Sequence, residues 1–167
     1  MARQVQQPDK NRYQIIPRVL IFAVRGGQLL LIKGAADKKT WPNLFNGIGG
    51  HVESGETILA AAYREFLEET GLELRTPHLC AIVTIEIPNS PGIGMYVFKA
   101  ETEPGRMTPS DEGTIEWINP LDLKNLPLVE DLPLLIPRVL GWSPGNPIIF
   151  GHYAYSDTNK LVMTFTQ

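Results

Sequence analysis

Three glutamates, Glu65, Glu68 and Glu69, stand at i, i+3 and i+4 in the segment GHVESGETILAAAYREFLEETGL, residues 50–72. On a helix that turns once in about 3.6 residues, this spacing puts all three carboxylates on one face. The rest of the segment reads as that helix. Thr57 can cap the free N–H groups of the first turn, and Leu59, Ala62 and Phe66 form a stripe expected to face the core. Gly71 suits the left-handed position just past the helix end, and Leu72 can pack back over the last turn. Like charges held this close cost roughly a few tenths of a kcal/mol per i,i+4 pair. A solvated acidic face is one account of such a cluster, and a hard cation such as magnesium among the oxygens is the other.

The surrounding residues favour the cation. They follow a fixed pattern, G-x5-E-x7-R-E-U-x-E-E-x-G-U with U a bulky apolar residue, supplied by Gly50, Glu56, Arg64, Glu65, Phe66, Glu68, Glu69, Gly71 and Leu72. The segment thereby resembles the Nudix box, the signature of the Nudix hydrolases. One departure is Phe66, which occupies a slot where the family usually has Leu, Ile or Val; local repacking is expected there, with no change in chemistry. The resemblance implies the Nudix fold, an α/β/α sandwich with a mixed β-sheet, and hydrolysis of a phosphoanhydride. It also implies a Mg2+ or Mn2+ cofactor, with Glu65, Glu68 and Glu69 as core ligands and Gly50 adding a backbone carbonyl. Glu56 would support the metal or its waters. Arg64 would orient the neighbouring carboxylates by charge-assisted hydrogen bonds, against the alternative of a plain surface ion pair.

Outside the box the chain reads as strands interleaved with helices. IPRVLIFAVR (16–25) and QLLLIKG (28–34) form a hairpin about Gly26-Gly27, and LFNGIGGHV is a short strand entering the box. Strands follow at 78–87, 94–101 and 112–120, then short helices near 121–126 and 131–140, and a C-terminal β-hairpin with runs at 147–155 and 160–166. Residues 1–12 read as a flexible tail and 13–167 as a single domain. An isolated hairpin is only marginally stable, so the terminal one must dock on its own domain or on another subunit. Monomer and homodimer both remain open.

Composition excludes several function classes. A net charge of −3 leaves no electrostatic footprint for a nucleic-acid polymer, although a small polyphosphate can bind once cations screen the carboxylates. No run approaches the roughly 20 apolar residues that span a bilayer. The single cysteine, Cys80, lies in an apolar run and reads as a buried thiol. With an N-terminal stretch that lacks a signal-peptide core, a cytoplasmic enzyme is the expectation.

Further candidates lie around the box. His51 holds a variable box position and reads as a lip residue, His78 and His152 as structural, and Glu53 as solvated. Asp111-Glu112 precedes Trp117, where many Nudix enzymes place an acidic loop residue near the metal-bound water. Glu112 is therefore ligand or general base, or else part of a turn-forming acidic pair. Three features resemble the branch that hydrolyses purine nucleoside triphosphates such as 8-oxo-dGTP. Asn46 occupies the place of a base-reading asparagine, or serves the turn before Gly47. Lys33 reaches toward phosphate or base, or is a surface lysine. In LPLVEDLPLLIP, Asp131 with Glu130 would read the purine, or Asp131 complements a helix dipole. Pro88 points weakly toward ADP-ribose cleavage, and a dinucleoside polyphosphate or capped RNA end is a further alternative. A non-catalytic nucleotide-sensing module would show an eroded box and a fused partner domain; this box is complete.

Overall fold

The computed structural model describes residues 9, 11–108 and 111–166. The expected tail over 1–12 lies largely outside them. The elements are β1 (Ile15–Arg25), β2 (Gln28–Gly34), β3 (Phe45–Asn46), α1 (Ile58–Thr70), β4 (Leu74–Ile85), β5 (Gly92–Thr102) and β6 (Gly113–Ile118). A 3-10 turn over Pro120–Asn125, α2 (Leu132–Gly141), β7 (Ile149–Tyr155) and β8 (Leu161–Thr166) complete them.

One mixed sheet runs in the order β3-β2-β1-β5-β4-β7-β8, with β6 pairing β2. β1 with β5 and β4 with β7 are parallel; the other strand pairs are antiparallel. Alternation along β1 feeds two cores. Val19, Ile21 and Ala23 pack under α1 with Ala61, Ala62 and Phe66. Leu20 and Phe22 pack on the opposite side with Leu132, Leu135, Ile136 and Val139 of α2. A sheet with period-two side chains can only be covered this way by a helix on each face, which gives the expected α/β/α sandwich.

The pairing that positions the site is the short contact of β1 with β2. It holds only at Val24↔Leu29 and Arg25↔Gln28, around Gly26 and Gly27, both at positive φ. Beyond that point β2 pairs with β6 through six residue partners, from Leu29↔Ile118 to Gly34↔Gly113. The chain at 48–51 takes its place beside β1, through bridges Ile21↔Ile48 and Arg18↔His51. Only Phe45–Asn46 of the expected LFNGIGGHV strand is a strand proper. The remainder lies as a loop along β1 and delivers the chain into α1.

α1 is bounded as its sequence implies. Thr57 Oγ1 accepts from the Ala60 N–H at 3.1 Å. Gly71 sits at φ 70 and its N–H donates to the Leu67 carbonyl at 2.8 Å. Leu59 departs from expectation, being 44% exposed. It lies on the flank of the stripe in the first turn, where Ile58 packs against the core instead. The terminal hairpin docks on its own chain, β7 pairing β4 from Ala81↔Ile149 to Ile85↔Tyr153. Cys80 is buried at a register shift of β4, donates to the Val97 carbonyl, and burial pushes its thiol up to about 12. It is a packing residue with no thiolate to offer. His78 lies against the Trp142 ring, and His152 meets Glu86 at 2.9 Å on the surface.

Candidate active site

α1 carries its glutamates into a hollow of about 480 Å3, which Arg18, His51, Asp111 and Glu112 also line. The three carboxylates differ in environment. Glu69 is 8% exposed, whereas the Glu65 side chain keeps 14% of its surface and Glu68 keeps 61%. The helix faces the sheet at Glu69, so the shared face runs from buried to solvated along a single turn.

Arg64 binds this face to the loop before it. Its Nε and Nη2 donate to the two oxygens of Glu56 at 3.1 and 2.6 Å. Nη1 donates to Glu65 at 2.9 Å and to Glu68 at 3.3 Å, and Nη2 reaches the His51 carbonyl at 3.0 Å. The planar guanidinium fork makes all these bonds from one position, which an ammonium does not do. The Arg64 hydrogen bonds, with the Glu53 N–H donating to it at 2.7 Å, hold Glu56 below the usual carboxylate range. Arg64 is in turn raised by its bonds to Glu56 and Glu65.

Glu69 is the opposite case. Burial, and then the charges of Glu65 and Glu112, push it up to about 8, against a backbone hydrogen bond from Gly49 that lowers it. Gly50 makes the close approach possible. A Cβ there would land 2.5 Å from the Glu65 Oε1, so any other residue would displace that carboxylate. The Gly50 carbonyl accepts from the Val19 N–H at 2.9 Å and keeps a second lone pair. Among the described residues, no three acidic, His or Cys side chains already close on one point as a finished metal shell. The donor set nevertheless fits a hard cation: it is all oxygen, and its most buried member carries repulsion that a cation would relieve.

Glu112 lines this hollow from the loop entering β6, with its Oε1 2.6 Å from Lys38 Nζ. That contact raises the Lys38 ammonium. His51 stands at the lip, its Nε2 accepting from Arg18 Nε at 3.1 Å and lying 2.9 Å from Arg18 Nη2. An arginine only donates, so this nitrogen carries no proton here.

The acidic hollow continues past Arg18, Gly49 and Gly50 into a more apolar cleft of about 360 Å3. Leu20, Trp41, Asn46, Val129, Glu130, Asp131 and Tyr153 are among its walls. Asn46 Oδ1 accepts from the Gly47 N–H at 2.8 Å, serving the turn while the side chain faces the cleft. Asp131 is 9% exposed and makes no capping bond to α2, and burial raises its carboxyl. Glu130 beside it is exposed. Lys33 stands apart: its ammonium lies over the Phe45 ring, 5.7 Å from the centroid, and it does not line this cleft. Arg18, Lys38, Trp41 and Tyr153 escape the sequence reading. An arginine inside the apolar run of β1 was the one available signal, since β-strand interiors seldom hold a charge without use.

The chain matches the NUDIX domain over residues 15–139. It belongs to the Nudix family. It is 34% identical over 145 residues to an oxidized purine nucleoside triphosphate hydrolase of Danio rerio, covering 80% of this chain and 90% of that one. The hydrolase of the same description from Mus musculus is 31% identical over 122 residues, covering 71% and 74%. The fold is that of the MutT protein from Bacillus halodurans, at TM-score 0.76 and 24% identity over 90% of this chain and 97% of that one. The protein is thus a Nudix pyrophosphohydrolase. Nudix hydrolases act on small nucleotides and generally use divalent metal ions. No helix among the described residues is long and apolar enough to cross a membrane.

Proposed function

We propose that this Nudix hydrolase cleaves a purine nucleoside triphosphate of the oxidised dGTP type to monophosphate and pyrophosphate, with Mg2+ or Mn2+, in the cytoplasm. The observation that carries the reading is the continuity of the acidic hollow on α1 with an apolar cleft of nucleobase size that holds Asn46, Glu130 and Asp131. A triphosphate and its base lie at opposite ends of one molecule, and so do these two environments.

Glu56, Glu65, Glu68, Glu69 and the Gly50 carbonyl would hold the cation, which when bound supplies charge neutralisation and acidifies a water. Arg64 holds the Glu56 and Glu65 carboxylates in place by hydrogen bonds. Arg18, between the two ends, offers its guanidinium to the phosphates. Glu112 lines the same hollow as Glu69, ion-paired with Lys38, and is the candidate acceptor of the attacking water's proton. Asn46 offers both donor and acceptor to the base edge, Asp131 its buried carboxyl, and Glu130 a rim contact. Lys33 would join them only if its ammonium left the Phe45 ring.

Purified protein with Mg2+ and a panel of oxidised and normal nucleoside triphosphates, assayed for pyrophosphate, tests this. Release from purine triphosphates in preference to pyrimidine ones is expected. No release from any purine triphosphate would sink the proposal.

A further inference from the structure

Between the acidic hollow and the apolar cleft lies a third hollow, of about 450 Å3. It shares Arg18, Glu69 and Glu112 with the first and Trp41, Asn46 and Gly47 with the second. Its walls hold three cations, Arg18, Lys38 and Lys39, to two acids, Glu69 and Glu112. Lys38 and Lys39 line neither neighbouring space. Both come from the segment between β2 and β3, which is rooted beside Glu112. The Ala35 N–H donates to the Glu112 carbonyl at 3.2 Å, and Gly34 pairs with Gly113. Lys38 turns back on that root, its N–H donating to the Ala35 carbonyl at 3.1 Å and its ammonium meeting the Glu112 carboxylate at 2.6 Å.

That ion pair is a weak hold. Its two side chains are 33% and 53% exposed, and a pair open to water contributes little. A phosphate chain carries more negative charge and more acceptor oxygens than one carboxylate, so it competes well for the ammonium. A nucleotide with its base in the cleft and its reacting phosphates in the acidic hollow must pass its chain through this junction. We propose that Lys38 leaves Glu112 for the outer phosphates of a bound nucleoside triphosphate, and that Lys38 thereby reads the length of the phosphate chain. The inference rests on the purine triphosphate reading above, which sets the two ends of the substrate. The flexible four-carbon stem of a lysine lets the ammonium move while the loop backbone keeps its turn. The same movement takes the ammonium off the candidate proton acceptor, and a product monophosphate, lacking outer phosphates, would leave it there.

Lys38→Met, alone and combined with Glu112→Gln, is the test. Calorimetry with Mg2+ measures affinity for 8-oxo-dGMP and for the α,β-imido analogue of 8-oxo-dGTP, which resists cleavage. K38M should bind the triphosphate analogue about tenfold more weakly than the wild type and the monophosphate within about twofold. The monophosphate also serves as the control for folding. In the E112Q background the lysine substitution should weaken binding of the analogue at least as much, since no carboxylate competes there for the ammonium. If K38M binds both nucleotides as the wild type does, or loses affinity for both equally, Lys38 does not read the chain and the inference is overturned. If the effect on the analogue disappears in E112Q, Lys38 acts only through Glu112 and the inference is overturned likewise. Either result leaves the purine reading standing as long as the wild type binds the analogue. A wild type that binds neither nucleotide shows that the purine reading itself has failed, and the inference falls with it.

Discussion

Glu69→Gln exposes the electrostatics of the site most directly, because amide and carboxyl have the same shape. In the metal-free chain burial and the charges of Glu65 and Glu112 raise the Glu69 carboxyl from its ordinary 4.5 to about 8. An acid whose folded pKa lies above its unfolded one keeps more protons folded than unfolded, so stability falls as pH rises between the two values. The loss begins near 4.5 and is complete above about 8. At about 1.4 kcal/mol for each pH step across that interval, the ceiling is about 5 kcal/mol, a large share of a typical domain's stability. Urea unfolding in EDTA at several pH values would measure it. Wild-type stability should decline across the window relative to Glu69→Gln, and Mg2+ should restore most of the difference at pH 8. Asp131, also raised by burial, titrates in both proteins and cancels in the comparison; Glu56, held down by Arg64, acts below the window. Turnover of Glu69→Gln should fall by about two or more orders of magnitude. Parallel stability profiles in EDTA, or near-normal turnover, would refute the account of Glu69.

Two other substitutions probe the supports of this carboxylate. Arg64→Lys should not rescue function, because a single ammonium cannot hold both Glu56 oxygens, Glu65 and the His51 carbonyl together; kcat should drop at least about tenfold with the fold intact by circular dichroism. Gly50→Ala puts a methyl 2.5 Å from the Glu65 Oε1, and the concentration of Mg2+ for half-maximal activity should rise about tenfold or more.

Much of the acidic end was legible from sequence. Glu65, Glu68 and Glu69 share a face because helical neighbours are three and four residues apart, and Thr57 and Gly71 bound α1 through bonds to residues three or four away. Such contacts are local, so spacing encodes them. Leu59 shows the limit even within a helix: its angular position suits the core, but only the packed sheet decides which flank of the stripe is covered. The apolar end was legible only in part. Asn46, Glu130 and Asp131 stood out in the sequence, but Arg18, Trp41 and Tyr153 come from β1, a loop and the terminal hairpin, and no spacing relates them.

The sequence by itself determined the bond to be broken, since a helix of one hydrogen-bond pattern presents the box glutamates together wherever it packs. The tertiary structure decided what lies beside that bond. The early parting of β1 from β2 admits the Gly47–Gly50 loop, and the parallel docking of β7 on β4 brings Tyr153 to Asp131. Strand pairings between distant segments depend on burying both faces of the sheet at once, and that condition is written in no single stretch of the chain.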